Sequence, residues 1–530
     1  MPLLRGCYAT GRDVICEDAA SRCSSRPCLF IQAATDTGVF VLQPMKELVK
    51  GSDRYRHFID GEWVDSTVKE WIEVENPATE EIIASVPRGS EADADRALSA
   101  AWRAQPAWEA LPPIERAELL KRLARLILQN RERLAQVVIA EQGKPLAEAR
   151  GEIEGAALYL TFAAEEARRV TGDIIPSDNP NEQIWIQKVA HGVVVALTAW
   201  NYPAALMTRK IGPALLAGNT VVVKPHEGTP LSSFEIAQLA AEAGFPAGVI
   251  NVVSGTGEGI GQALVKHPYT RLITLTGSVR AGKAIYRSAA DDLKVLRLEL
   301  GGKAPFVVAE DADIASAVNA AVQSRFENCG QICICNERMY VHEKIADEFT
   351  ERFIKAVEAL KVGDPRQLVD VGPKFSGAEL EKVEAMVDRA VASGAKLLTG
   401  GKRLSDGEFS RGHWFEPTVL GVDDNAMEIM QDEVFGPVVP IMRVGDFDEA
   451  MRLANESRYG LSAYVFTKDM RRIMRLSREL KFGEIYVNKA GGDVVQAHHA
   501  GMRDSGIGGE DGKYGLEGYF QKKTTYLNFN

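Results

Sequence analysis

The sequence predicts an α/β protein built on parallel sheets, and three observations carry that expectation. Short β-branched runs at residues 193–197, 220–223, 249–253, 272–275 and 295–300 alternate with helix-like segments of similar length, the rhythm of βαβ units. Asn201, Lys224, Gly255, Thr276 and Glu299 stand at or just beyond the carboxyl ends of these runs, the edge where open parallel sheets bind ligands. At 530 residues the chain is also too long for one hydrophobic core, so two or three domains are expected.

Residues 1–52 lack helical or strand periodicity and read as a disordered N-terminal extension. Arg5, Arg12, Arg22 and Arg26 with several serines hint at a transit peptide, but Asp13, Glu17 and Asp18 do not suit one, and Met45 is an alternative start. Residues 58–63 read as a hairpin with Asp60-Gly61 as its turn. Pro112-Pro113 opens a helix whose Leu119, Leu120, Leu123, Leu126 and Ile127 recur at helical spacing and read as core. Residues 254–261, five of them glycine or serine, open a helix behind the strand ending at Val253; their N–H groups suit a pyrophosphate, although a bare tight turn explains them as well. After Gly301 a second alternation begins with residues 304–308, the segment around Cys333, residues 339–341 and a helix to Val362. Residues 184–188 and 524–527 read as strands with edges that need a partner.

A net charge of −11 argues against nucleic-acid or anionic-membrane partners, which require clustered Lys and Arg. No apolar run approaches the roughly 20 residues of a membrane span, so a cytoplasmic protein is expected. Of seven cysteines, Cys7, Cys16, Cys23 and Cys28 lack Cys-x-x-Cys spacing, so no metal site is expected.

Three signals carry chemistry. Cys333 lies in Asn328-Cys329-Gly330-Gln331-Ile332-Cys333-Ile334-Cys335, where small and polar residues let backbone amides or a helix N-terminus approach and favour the thiolate; a buried structural cysteine is the alternative. Glu299, between Leu298 and Leu300, is a desolvated carboxyl suited to take a proton from water, unless its side chain faces solvent. Asn201, after the 193–197 run, offers a side-chain amide to an oxyanion.

Thiol, carboxylate and amide in this order resemble the NAD(P)-dependent aldehyde dehydrogenases. The likeness runs from about His57 to the C-terminus and includes residues 224–230, Thr276-Gly277-Ser278 and Glu433-Val434-Phe435-Gly436-Pro437. Residues 505–512 and Cys333-Ile334-Cys335 look most like the lactaldehyde and glycolaldehyde dehydrogenase branch. The resemblance implies two parallel-sheet α/β domains and a small β oligomerisation arm: a cofactor domain at 53–175 and 190–300, a catalytic domain at 301–488, and an arm at 176–189 and 513–530 that pairs subunits into a homodimer or homotetramer. It implies attack on a small aldehyde by Cys333, an oxyanion held by Asn201 and the Cys333 N–H, and hydrolysis of the thioester by water that Glu299 activates. NAD would be held by Trp200, Lys224, Glu227, Gly257, Thr276, Gly277, Ser278, Gly301, Glu433 and Phe435, with NAD preferred because Glu227 repels a 2′-phosphate. His226 departs from the serine usual in that motif. Arg209, two helical turns beyond Asn201, and His499 are expected to face the substrate and to suit a hydroxylated aldehyde, unless Arg209 pairs with a carboxylate such as Asp493 and the histidines lie on the surface. A semialdehyde or broad-specificity dehydrogenase, a cysteine hydrolase lacking an obvious histidine base, and a non-catalytic scaffold are the competing readings.

Overall fold

The five β-branched runs are the strands of one sheet, and their apolar continuity reflects burial on both faces. The computed structural model describes residues 45–49, 52–492 and 494–529. Within it an eight-stranded sheet runs in the order Gly506–Ile507, Val295–Glu299, Thr270–Thr276, Val193–Leu197, Thr220–Lys224, Ile250–Val252, His57–Ile59, Glu62–Val64. The five central strands are parallel, and Val193–Leu197 is wholly buried between its neighbours. Thr276 pairs with Glu299, so the carboxyl ends of those two strands are level.

The hairpin at 57–64 turns on Asp60 and Gly61, with φ of 56° and 79°, the two left-handed positions that a type I′ turn demands. It also adds antiparallel strands to the sheet, through Phe58 opposite Val252, a long-range pairing invisible to local pattern.

A seven-stranded sheet follows, in the order Lys396–Thr399, Thr418–Val422, Val438–Val444, Asn336–His342, Ala304–Val308, Ser462–Phe466, Glu484–Val487, parallel except at the Lys396–Thr399 edge. The helix after Asn336–His342 spans Glu343–Glu358; it stops short of Val362, which bridges to Val371 instead. Phe520–Asn528 pairs antiparallel with Glu182–Ala190, which pairs with Asp173–Pro176, leaving Ile174, Trp185 and Tyr526 exposed. The assignment of residues 1–52 to an extension needs correction at its end: Lys46–Val49 is a strand paired with Ser52–Tyr55, and Lys46 Nζ lies 2.7 Å from Asp53. A four-residue strand gives no periodicity to read. Residues 1–44, with their four cysteines, lie outside the described residues. Among the described residues no helix is long and apolar enough to cross a membrane.

One buried carboxylate ties these parts together. Glu337, on Asn336–His342, meets Lys303 at 2.8 Å and Arg325 at 2.9 Å, and accepts the N–H groups of Val434 at 2.9 Å and Phe435 at 3.1 Å. Burial opposes its ionisation, but the two cations outweigh burial and hold its carboxyl at about 2. Arg325 also donates to the carbonyls of Asn336 and Gly330, each at 2.7 Å. Glu337→Ala leaves two buried cations without their counter-charge, a loss of about 3–5 kcal/mol. The expected outcome is a clear fall in the thermal unfolding midpoint; a midpoint equal to that of the wild type would contradict this account of the core.

Candidate active site

The cysteine segment begins where the helix Ile314–Phe326 ends. Asn328, Cys329 and Gly330 follow with φ of 49°, 56° and 69°, three successive left-handed residues of which Cys329 is the one least suited to that region. Their surroundings hold them there. The Asn328 N–H donates to Glu148 at 2.9 Å, and its side chain donates to the Asn201 carbonyl at 3.1 Å while accepting from Gln142 at 3.0 Å. A Cβ on Gly330 would stand 2.3 Å from the Gly436 carbonyl oxygen, so no other residue fits. The chain then makes a tight turn, closed by the Cys335 N–H on the Ile332 carbonyl at 3.1 Å, with Cys333 half-buried at its corner. No helix starts at Cys333, so of the two settings expected for the thiol, backbone amides or a helix N-terminus, the second is not present. Cys329 and Cys335 are buried, and burial pushes both thiols up to about 12.

Asn201 lies between Val193–Leu197 and the helix Pro203–Leu216. Its side-chain amide donates to the Gln331 carbonyl at 2.9 Å, and its own carbonyl accepts from Lys144 Nζ at 2.8 Å. Those contacts fix the amide against the cysteine segment. One cavity of about 230 Å³ is lined by Asn201, Cys333, Glu299, Thr276, Arg209 and His499. Sequence positions 201, 299 and 333 therefore converge.

Glu299 is 3% exposed, and neither carboxyl oxygen has a hydrogen-bond partner among the described residues. Burial pushes its carboxyl up to about 8, against the opposing charges of His499, Arg209 and Lys210 and with Glu510 adding to the rise. His499 Nε2 stands 3.7 Å away, and the ring is 2% exposed, so this histidine is not on the surface. Arg209 reaches the cavity wall, but its guanidinium is bidentate on Asp511, with Glu510 at 3.3 Å from its Nε. Arg209 therefore faces the same cavity as Asn201, as its spacing predicted, but its charge is taken up by Asp511 and Glu510 and does not stand free for a substrate. Asp493 lies outside the described residues.

The dinucleotide candidates cluster along the sheet edge beside this cavity. Lys224 Nζ meets Glu227 at 3.1 Å, and the Lys224 ammonium outweighs burial to lower the Glu227 carboxyl. His226 is pushed down to about 4 by burial, and its Nδ1 accepts the Gly228 N–H at 3.1 Å. A Cβ on Gly257 would have open space around it, and one on Gly261 would lie 3.7 Å from Lys224, so the glycine turn and the lysine border one another. Ser278 caps the helix Val279–Ala289, just after Gly277 and beside strand-end Thr276. Glu433 accepts the Gly302 N–H at 2.7 Å, and a Cβ on Gly301 would stand 2.3 Å from its Oε2. Trp200 stacks on Phe375 at 4.5 Å and meets Phe435 edge-on at 5.3 Å. Open backbone over a glycine turn, a Lys-Glu pair for ribose hydroxyls and an aromatic wall are a donor set that fits a dinucleotide.

A half-buried thiol, a side-chain amide and a buried basic carboxyl on one cavity are equipped for covalent chemistry at a carbonyl. The profile of the Aldehyde dehydrogenase family matches residues 63–525. The chain belongs to the aldehyde dehydrogenase family. As a member it is an oxidoreductase acting on aldehydes. The chain is 50% identical to 3,6-anhydro-alpha-L-galactose dehydrogenase of Vibrio sp. (strain EJY3), across 90% of this chain and 100% of that protein. It is 43% identical to lactaldehyde dehydrogenase of Escherichia coli (strain K12), across 89% and 98%. A solved 3,6-anhydro-L-galactose dehydrogenase in complex with NAP superposes with a TM-score of 0.89 at 48% identity, covering 90% of this chain and all of that one.

Lys144, Gln331, Glu337 and Glu484 of this aldehyde dehydrogenase carry no local signal: the first three act through contacts more than forty residues away, and Glu484 through His499, which only the fold brings to it. Glu510 falls within the 505–512 motif, and Lys210 adjoins Arg209, so both had a signal. Among the three cysteines of this region, Cys333 is expected to react first with iodoacetamide near pH 8, because the other two are buried thiols. Peptide mass spectrometry checks this; equal early labelling of Cys329 would contradict it.

Proposed function

We propose that this aldehyde dehydrogenase oxidises a small hydroxylated aldehyde to its carboxylic acid with NAD. The observation that carries the reading is the shared cavity of Cys333, Asn201 and Glu299. The Cys333 thiolate attacks the carbonyl carbon, and the oxyanion is held by the Asn201 amide and the Cys333 N–H. Trp200, Lys224, Glu227, Gly257, Thr276, Gly277, Ser278, Gly301, Glu433 and Phe435 would hold the dinucleotide, which would supply the acceptor for the hydride lost from the substrate carbon, the carbon left bonded to Cys333 as a thioester. Glu299 then takes a proton from water as the water oxygen bonds to the thioester carbon, the carbon–sulfur bond breaks, and acid leaves with the Cys333 thiolate restored.

The substrate class rests on the cavity's charge. A semialdehyde with a carboxylate tail needs an uncompensated cation, and Arg209 is neutralised by Asp511 and Glu510. His499 offers polar contact to a neutral hydroxyl instead. The relatives named for lactaldehyde and an anhydrogalactose, both hydroxylated, support this choice. Glu227, ionised beside Lys224, disfavours a 2′-phosphate. The exposed Ile174, Trp185 and Tyr526 of the antiparallel sheet support a homo-oligomer.

Lactaldehyde is expected to exceed propanal, which lacks only the hydroxyl, by about tenfold in kcat/KM, or about 1.4 kcal/mol. Steady-state kinetics with NAD and with NADP for both aldehydes makes the test. Equal specificity constants for the two aldehydes would contradict the hydroxyaldehyde assignment, and a preference for NADP would contradict the role given to Glu227.

A further inference from the structure

Glu484 plays no part in the reaction just described, yet it reaches the cavity through His499. His499 Nδ1 stands 3.1 Å from Glu484 Oε1 while Nε2 faces Glu299 Oε2 at 3.7 Å, so one buried ring spans two carboxylates carried by different sheets. The ring's place is fixed from both sides. The His499 backbone pairs with Glu510 in both directions, N–H to carbonyl at 3.0 Å and the reverse at 2.6 Å. Glu484 lies opposite Ser462 in the strand register and accepts the Tyr486 hydroxyl at 3.0 Å.

The other charged groups that face Glu299 are already committed. From the helix Pro203–Leu216, Lys210 pairs with Glu510 and Arg209 with Asp511 and Glu510. From the segment before the helix Gly512–Glu517, Glu510 adds negative charge. His499 is the cation-forming group in contact range of Glu299, and carboxylates near both ring nitrogens, Glu299 buried and Glu484 half-buried, favour its doubly protonated form.

We propose that Glu484 is a positioning residue that holds His499 as the counter-cation of Glu299 and so sets the pH at which Glu299 accepts the proton of the hydrolytic water. This rests on the reading of Glu299 as the base of thioester hydrolysis. The sign follows from the charges. Burial raises the Glu299 carboxyl and the His499 charge opposes that rise. Without Glu484 the imidazolium is less favoured, Glu299 holds its proton to higher pH, and hydrolysis moves with it.

The test is the pH dependence of steady-state NADH production from lactaldehyde and NAD in the wild type, Glu484→Gln, Glu484→Asp and His499→Asn, with the first-turnover NADH burst measured alongside. Glu484→Gln is expected to move the acid limb upward by about one unit, a loss of about tenfold below it, with the burst retained, and His499→Asn to move the limb in the same direction. Glu484→Asp is expected to restore most of the wild-type profile. A Glu484→Gln profile superposed on the wild type, or lowered equally at every pH, overturns the proposal, and the His499→Asn profile decides in the same way should Glu484→Gln not fold. Glu299→Gln separates the two levels: if it turns over steadily, the base assignment itself fails, whereas a burst without turnover in Glu299→Gln and no shift in Glu484→Gln defeats the role of Glu484 alone.

Discussion

The buried carboxylate of Glu337 sets the register of the whole site. It takes Lys303, just past the Gly301-Gly302 pair that ends the Glu299 strand, and Arg325, which holds the carbonyls on both sides of the Cys333 turn. It also takes the N–H groups of Val434 and Phe435, where the backbone of Phe435 turns through a φ of 54° beside Glu433. Burying one anion and two cations is unfavourable unless every partner is in place. The strand that carries Glu299, the cysteine segment and the Glu433 loop are therefore located together or not at all. A Cβ on Gly302 would stand 2.6 Å from the Cys333 carbonyl oxygen, which shows how closely two of these pieces pass.

Two carboxyls near the cavity are driven in opposite directions by their neighbours. Glu510 is as buried as Glu299, but Lys210 and Arg209 outweigh burial and hold it at about 2. Glu299, with no hydrogen-bond donor on either oxygen among the described residues, rises to about 8. Groups of one type whose environments push them apart take different roles: Glu510 is a fixed anion, and Glu299 can exchange a proton near neutral pH.

The parallel sheet was legible because strands buried on both faces write themselves as unbroken β-branched runs, and because the rule that places ligands at their carboxyl ends singled out Asn201, Lys224, Thr276 and Glu299. The Asp60-Gly61 turn was legible from its chemistry. What stayed hidden depends on contacts between distant positions. Arg209 reads the same from sequence whether it faces a substrate or Asp511, 302 residues away. Lys46–Val49 is too short to show a period, and the left-handed Cys329 carries no residue signal, since cysteine, unlike glycine or its neighbour Asn328, is not favoured there. The carboxylate of Glu484 sits in an edge strand of mixed polarity, and only the fold brings it to His499.

The central claim is that Cys333 and Glu299 act in succession on one carbon, the thiol forming the acyl bond and the carboxylate ending it. The direct measurement is to quench Glu299→Gln after mixing with lactaldehyde and NAD and to weigh the intact protein and its peptides. The account predicts an acyl adduct from the oxidised substrate on the peptide containing Cys333, long-lived in the variant and absent when Cys333 is also replaced by Ala. An adduct on another residue, or rapid steady turnover with no adduct, would contradict it.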